Sequence, residues 1–155
     1  MIFKPSDTDP AIRVSRSDVE DPLSPSSRFA FHLDDADWPS VEHYYQGMKF
    51  TDPALREQVR NAADPEAARK LGKKHKRAVR RDWKADRVTV MTRGVYIKCR
   101  THADVALALA ATGTRRITET SQYDYFWGIG RDGLGDNEYG KVLMAVREKL
   151  TAVGG

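Results

Sequence analysis

One segment constrains the fold more than any other: Trp38-Pro39-Ser40-Val41-Glu42-His43-Tyr44-Tyr45-Gln46-Gly47-Met48-Lys49-Phe50. Proline suits a first helical turn, and Ser40 can accept from the free backbone N–H groups there. Val41, Tyr44, Tyr45 and Met48 recur at i, i+3, i+4 and i+7, which gives a short helix one buried stripe. Glu42, Gln46 and Lys49 follow i, i+4, i+7 on a neighbouring face, beside the core rather than inside it. Glu42 then sits at the positive end of the helix, where the dipole favours its ionised form. A helix built only for packing needs no carboxylate, imidazole, carboxamide and ammonium among aromatic rings. A second polar-aromatic cluster, Asp124-Tyr125-Phe126-Trp127-Gly128-Ile129-Gly130, lies far along the chain. Two such clusters, separated by ordinary helical sequence, suggest one pocket assembled from both.

The rest of the chain supplies the scaffold. Residues 11–15 read as an edge strand, 23–27 as a loop, 28–33 as a strand of period two, and 34–37 as a turn. Asp52-Pro53 and Asp64-Pro65 are cap-plus-proline helix starts. The first helix uses Leu55 and Val59, and the second stops at Gly72. A basic helix follows, with Trp83 near its end, and residues 86–100 form another around Val90, Met91, Val95 and Ile97. Thr101 begins an Ala/Leu helix that ends at Gly113, with Asp104 completing a capping pair. Residues 116–120 form a short strand, 121–137 a glycine-rich loop, and 138–151 a last helix burying Val142, Leu143, Val146 and Leu150. The sum is an α+β fold, predominantly helical with a small β-sheet. The length of 155 residues fits one domain, with 1–22 as a loosely packed N-terminal segment.

Composition narrows the class. Mean hydropathy of −0.62 and a lack of any apolar stretch near the ~20 residues a bilayer requires argue against a membrane protein. The start, Met1-Ile2-Phe3-Lys4-Pro5-Ser6-Asp7, lacks the apolar core of a secretory signal. Cys99 is the only cysteine, which suits a reducing, cytoplasmic setting. Residues 1–42 carry four Lys or Arg against nine acids, whereas residues 69–87 carry ten Lys or Arg against Asp82 and Asp86. Such a basic block is either a solvated helix face or an attractor of phosphates, on a nucleic acid or on a small molecule.

Gly128-Ile129-Gly130-Arg131-Asp132-Gly133 matches G-x-G-x-x-G, but the preceding segment is polar and only 22 residues follow Gly133. A dinucleotide fold needs a strand before the motif and a βαβ unit around it, so that reading fails, although the loop still allows close backbone approach to a ligand. His32, His43, His75 and His102 show no ligand spacing, so no metal is expected. No serine elbow exists, and no cofactor is called for.

At its two clusters the chain resembles the NADAR, or YbiA-like, family. The resemblance rests on residues 38–50, on Arg81-Asp82-Trp83, on Met91 with Lys98, on Thr112-Gly113 and Ile117-Thr118-Glu119, and on residues 124–130. Gly133, Gly135, Asn137, Gly140, Lys141, Leu143-Met144 and Arg147 continue it. It implies a YbiA-like single domain and an N-glycosidase, which cleaves the C–N bond between a ribose and a base-like group. One branch hydrolyses phosphorylated riboflavin-pathway intermediates, ribosylated aminopyrimidines or aminouracils; another removes ADP-ribose from guanine in nucleic acid. A non-catalytic module for ADP-ribose or a related nucleotide is the third reading. No protein partner is evident.

By match of motif, Glu42 and Trp127 are expected to be catalytic or substrate-contacting, and Trp83 to line the pocket. Many relatives carry Asp where this chain has Ile129; if that Asp acts in catalysis or ribose binding, its role passes to Asp124 or Asp132, or is lost. They also often carry Phe-Ser-Asn-Phe where this chain has Leu23-Ser24-Pro25-Ser26, which bears on base specificity. The chemistry asks for a carboxylate beside the ribose carbon, with Glu42 as the choice and capping of its own helix as the alternative. Tyr45, Trp83 and Trp127 suit a slot for a base, or else the core. Lys49, Arg81, Lys98 and the amides of residues 128–135, Gly128 and Gly130 among them, are phosphate candidates. Glu119 and Asp124 are candidates for the ribose hydroxyls, His43 for substrate contact, and Asn137 for the same or for an N-cap.

Overall fold

The computed structural model describes residues 10–154. Strand β1 (Ile12–Val14) is followed by a β-hairpin, β2 (Phe31–Leu33) and β3 (Ala36–Trp38). Helices α1 (Val41–Gly47), α2 (Pro53–Arg60) and α3 (Pro65–Lys74) come next, then a 3-10 turn (Lys76–Ala78). The chain continues through α4 (Trp83–Thr101), α5 (Ala103–Ala110), β4 (Ile117–Glu119) and α6 (Glu138–Gly154).

Helix α1 is the hub, packed against α2, α3 and α4. Ser40 caps it by accepting from the His43 N–H at 3.1 Å. Every one of its residues is buried, including Glu42 with no exposed surface. The expectation that Glu42 lies beside the core is therefore corrected, because α3 and the loop before β2 close over the polar face as well. Two glycines permit this closeness. A Cβ on Gly94 of α4 would stand 3.1 Å from the Tyr44 ring, and one on Gly47 would stand 2.7 Å from the Trp38 ring. Tyr44 meets Trp38 and Phe31 edge-on, with ring centroids 5.4 Å and 6.0 Å apart.

Among the described residues there are two two-stranded sheets rather than one. β1 pairs parallel with β4, placing Ile12 opposite Ile117 and Val14 opposite Glu119. β2 pairs antiparallel with β3. The segment expected to be a simple turn at 34–37 thus contributes a strand. Asp34 and Asp35 take φ of 53° and 62°, the left-handed pair that closes a tight hairpin. Within the N-terminal segment, residues 12–14 lie in the β1–β4 ladder and Arg16 bonds to Glu119 and Glu42, whereas residues 17–20 are exposed. Residues 1–9 lie outside the described ones.

Asp52 and Asp64 cap α2 and α3 as their proline signals indicate. The basic block does not make a helix ending at Trp83. It ends α3, runs through the 3-10 turn, and Trp83 opens α4. Thr101 closes α4 rather than starting α5; its hydroxyl bonds back to the Ile97 carbonyl at 2.7 Å, and Asp104 caps only its neighbour Val105. Among the described residues, no helix is long and apolar enough to cross a membrane.

Candidate active site

Glu42 is the electrostatic centre. Its Oε1 accepts from Arg16 Nη2 at 3.3 Å and Arg69 Nη2 at 3.0 Å, and its Oε2 accepts from Gln46 Nε2 at 2.9 Å. Burial pushes its pKa up, but the two guanidiniums and the hydrogen bonds outweigh this and hold it below the ordinary carboxylate value. Ionisation rests on these partners more than on the dipole of a helix of seven residues.

Arg16 ties the two sequence clusters together. Its Nη1 donates to Asp124 Oδ2 at 3.1 Å, and its guanidinium lies 5.9 Å from the Tyr45 ring centroid and 5.5 Å from that of Trp127. Its backbone N–H donates to Glu119 Oε2 at 2.8 Å. The β1–β4 ladder makes this possible: Arg16 follows β1 by two residues, and Glu119 ends the strand beside it.

In front of Glu42 opens a cavity of about 270 Å³. Tyr45, Phe126 and Trp127 form its apolar wall; Arg16, Lys49, Arg69, Lys73 and Arg87 bring cations, and Gln46 and Asp124 complete it. Tyr45 and Trp127 meet edge-on at 5.5 Å, Phe126 and Trp127 at 4.9 Å. Arg87 stacks on Phe126, 3.4 Å from the ring centroid. Burial pulls the Lys49 ammonium below its ordinary pKa; Glu42 opposes this, while Arg16, Arg69 and Arg87 add to it. Such a cluster of mutually repelling cations favours an anionic ligand.

The loop after β4 is shaped by side chains acting on backbone. Asp124 Oδ1 accepts from the N–H groups of Phe126 at 3.0 Å and Trp127 at 2.8 Å, which sets the Trp127 wall. Asn137, at φ 54°, bridges the Glu119 N–H and the Ile117 carbonyl at 2.8 Å and 2.9 Å. Gly128 leaves no room for a Cβ against Glu119, and Gly130 none against the Tyr125 ring.

Of the residues expected from sequence, Tyr45, Lys49, Asp124 and Trp127 line the cavity; Glu42 does not, but is hydrogen-bonded to three residues that do, Arg16, Gln46 and Arg69. Trp83 does not line it; its ring supports Tyr45 from behind at 5.0 Å. Glu119, Asn137, Gly128 and Gly130 hold the loop. His43 faces elsewhere, with Nδ1 2.7 Å from Ser40 Oγ and Nε2 3.1 Å from the Ala62 carbonyl, and burial lowers its pKa. Lys98 is also elsewhere: its Nζ donates to the Ser24 carbonyl and Ser27 Oγ, both at 2.9 Å. Arg81 is exposed and lines no part of the cavity. Of the two acids proposed to replace the one missing at Ile129, Asp124 is in the cavity and Asp132 is exposed. Ile129 contributes backbone: its N–H donates to the Glu119 carbonyl at 3.0 Å.

Sequence reasoning passed over Arg16, Arg69, Lys73, Arg87 and Phe126. Arg69, Lys73 and Arg87 were available as members of the basic block, and Phe126 as the neighbour of Trp127. Nothing local marks Arg16, whose role comes from strand pairing.

Comparison with known proteins agrees with this architecture. The model of the NADAR domain matches residues 10–151. An N-glycosidase of Nostoc punctiforme, Npun_R5314, is 41% identical over 127 residues, covering 80% of this chain and 81% of that protein. A riboflavin biosynthesis protein of Vibrio vulnificus, VVA0006, is 45% identical over 113 residues, which span 73% of this chain and 31% of the longer protein. The solution structure of Escherichia coli YbiA superposes with a TM-score of 0.83 at 31% identity, covering 93% of this chain and 86% of that one.

Proposed function

The chain belongs to the NADAR family, and from that membership and the cavity described above we propose that it is an N-glycosidase that hydrolyses phosphorylated ribosyl intermediates of the riboflavin-pathway kind. The observation that carries this reading is a fully buried carboxylate, Glu42, kept charged by Arg16 and Arg69 behind an aromatic-walled, cation-rich cavity.

The proposed pose follows from the lining. The heterocycle lies against Trp127, Phe126 and Tyr45, where a stacked ring gains about 1–3 kcal/mol. The phosphate lies among Lys49, Arg69 and Lys73, and the ribose bridges the two. Water attacks C1′ while the C–N bond breaks, and its electron pair leaves with the base. Positive charge develops on C1′ and the ring oxygen, and the carboxylates of Asp124 and Glu42 offset it. Glu42 takes the proton of the attacking water, a contribution of about 10²–10⁴-fold. The departing nitrogen acquires a proton from solvent, Glu42 returns the one it took to solvent, and the products are free base and ribose phosphate. Arg16, bonded to both acids, keeps Glu42 ionised and fixes the two carboxylates relative to each other.

A second reading has one observation in its favour. Lys73 and Arg87 belong to the basic block, and Lys74, Lys76, Arg77, Arg81 and Lys84 of the same block are exposed. That surface suits a polymer, so the second substrate is ADP-ribosylated guanine in nucleic acid, with salt-sensitive binding as its mark.

Product analysis separates these readings. Wild type and Glu42→Gln are incubated with ribosylaminouracil phosphate and, separately, with DNA bearing ADP-ribosylated guanine. Release of free base or ADP-ribose by wild type alone supports an N-glycosidase, and the substrate consumed names the branch. Binding of nucleotide with no turnover of either substrate would replace this reading with a non-catalytic binding module.

A further inference from the structure

Glu42 is inaccessible as it stands. Both of its oxygens are occupied, Oε1 by Arg16 and Arg69 and Oε2 by Gln46, and no part of the residue is exposed. A base in this state cannot touch water at C1′. One partner has to leave, and the three are not equally free to do so.

Gln46 is buried on the same helix as Glu42, with its amide wedged against Gly72 of α3, where a Cβ would overlap its Oε1. Arg16 is fixed by Glu42, by Asp124 and by the faces of Tyr45 and Trp127, and its side chain is 14% exposed. Arg69 is different. Its side chain is 33% exposed, and among the described residues it makes a single ion pair and one other side-chain hydrogen bond, to Ser26 Oγ at 3.1 Å. It also borders two spaces, the candidate-site cavity and a smaller one of about 230 Å³ lined with Ser17, Ser26 and Glu66, so its head has room to move.

Helix α3 supplies what would draw it. Arg69 and Lys73 stand at i and i+4, one turn apart on the same face, and both line the candidate-site cavity with Lys49 from beyond α1. Arg69, whose Nη2 donates to Glu42 and Ser26, thus also borders the space where a phosphate would sit.

We propose that Arg69 is a phosphate-released cover over Glu42: the phosphate of the substrate takes the Arg69 guanidinium away from Glu42 Oε1 and frees that oxygen toward the reacting carbon. This rests on the N-glycosidase reading for its purpose, but not for its test. Arg69 acts here as a positioning residue. Arg16 stays on Glu42 after the exchange, so the carboxylate remains charged while one of its oxygens opens. Phosphorylated substrates are thereby preferred in the chemical step as well as in binding, since an unphosphorylated ribosylamine leaves the base covered.

The test uses ribose 5-phosphate as probe, with ribose as control, and calorimetric titration of the wild type, Glu42→Gln, Arg69→Met and the double variant. If Arg69 must leave Glu42 to bind phosphate, Glu42→Gln removes that competition and tightens ribose 5-phosphate about tenfold, while Arg69→Met weakens it about 10–100-fold, as loss of a hydrogen bond to a charged group does. In the Arg69→Met background, Glu42→Gln then changes affinity less than about twofold, because the coupling is gone. Equal effects of Glu42→Gln in both backgrounds would overturn the proposal. A crystal structure of wild type with ribose 5-phosphate reaches the same decision should a variant unfold: Arg69 on the phosphate supports it, and Arg69 still on Glu42 refutes it. Failure of the N-glycosidase reading looks different, as wild type would release no base while these affinities kept their pattern.

Discussion

Replacing Glu42 with Gln tests the site as a physical object before any substrate is involved. The substitution keeps shape and most hydrogen bonds but deletes the charge between two guanidiniums. Breaking a fully buried ion pair from one side costs about 3–5 kcal/mol. Here the loss is smaller, because Arg16 retains Asp124 and the Arg69 side chain is a third exposed. The expected destabilisation at pH 7 is about 2–3 kcal/mol. For a domain of this size each kcal/mol moves Tm by roughly 2–4 °C, so the variant should melt roughly 4–12 °C lower. The pH dependence has a definite sign. Glu42 has a folded pKa held below its ordinary 4.5, so its stabilising contribution is full above that value. It is lost as pH falls through the lower folded value. The gap between wild type and variant should therefore narrow on acidification below about pH 4.5. Calorimetry of both proteins from pH 7 down to pH 3 measures this. Equal melting at pH 7, or a gap unchanged by acid, would refute the claim that Arg16 and Arg69 hold this carboxylate charged.

Arg16→Lys keeps the charge but loses the fork that reaches Glu42 and Asp124 together, so kcat/KM should fall roughly 10–100-fold, the equivalent of about 1.5–3 kcal/mol. Trp127→Ala removes one stacking face and should raise KM roughly 5–150-fold, from a loss of about 1–3 kcal/mol, in steady-state assays. Gly72→Ala drives a Cβ into the Gln46 amide and should destabilise by about 1–3 kcal/mol in denaturant melts, with loss of activity from displaced Gln46. Lys98 is buried, and burial lowers its pKa to about 8 from an unfolded value near 10.5. Across that window the unfolded chain binds more protons, so wild type should gain stability relative to Lys98→Met as pH rises from about 8 to 10.5. Urea midpoints at the two ends measure this.

What the sequence made legible follows from the range of each interaction. Caps and stripes are local, so Ser40, Asp52-Pro53 and Asp64-Pro65 marked helix starts correctly, and the stripe of α1 was found by its period. Trp127 and Tyr45 were legible because aromatic rings beside glycine and acid are unusual in their setting. Burial of Glu42 was not legible, since a helical period says which face turns inward but not how many elements close around a short helix. The hairpin strand β3 was missed because Asp34 and Asp35 adopt a conformation usually left to Gly or Asn. Lys98 was misplaced for a related reason: one lysine on a long helix gives no sign that its ammonium is taken up by the Ser24–Ser27 loop.

Arg16 shows how a site can hang on three residues of strand. The β1–β4 ladder has only the pairs Ile12–Ile117, Arg13–Thr118 and Val14–Glu119, too few to matter greatly as a sheet. Its parallel register instead sets Arg16 beside Glu119, whose carboxylate takes the Arg16 N–H and the Ser121 N–H, at 2.8 Å and 2.9 Å. One acid thereby fixes the backbone of the arginine and the start of the loop that carries Asp124 and Trp127. The arginine then reaches Glu42 on α1 and Asp124 on that loop with the two ends of one guanidinium. The side chain at position 129 has no part in this chain of contacts; only its backbone does, through the bond to the Glu119 carbonyl. An isoleucine there leaves the scaffold whole, and the acid that faces the cavity from this loop is Asp124.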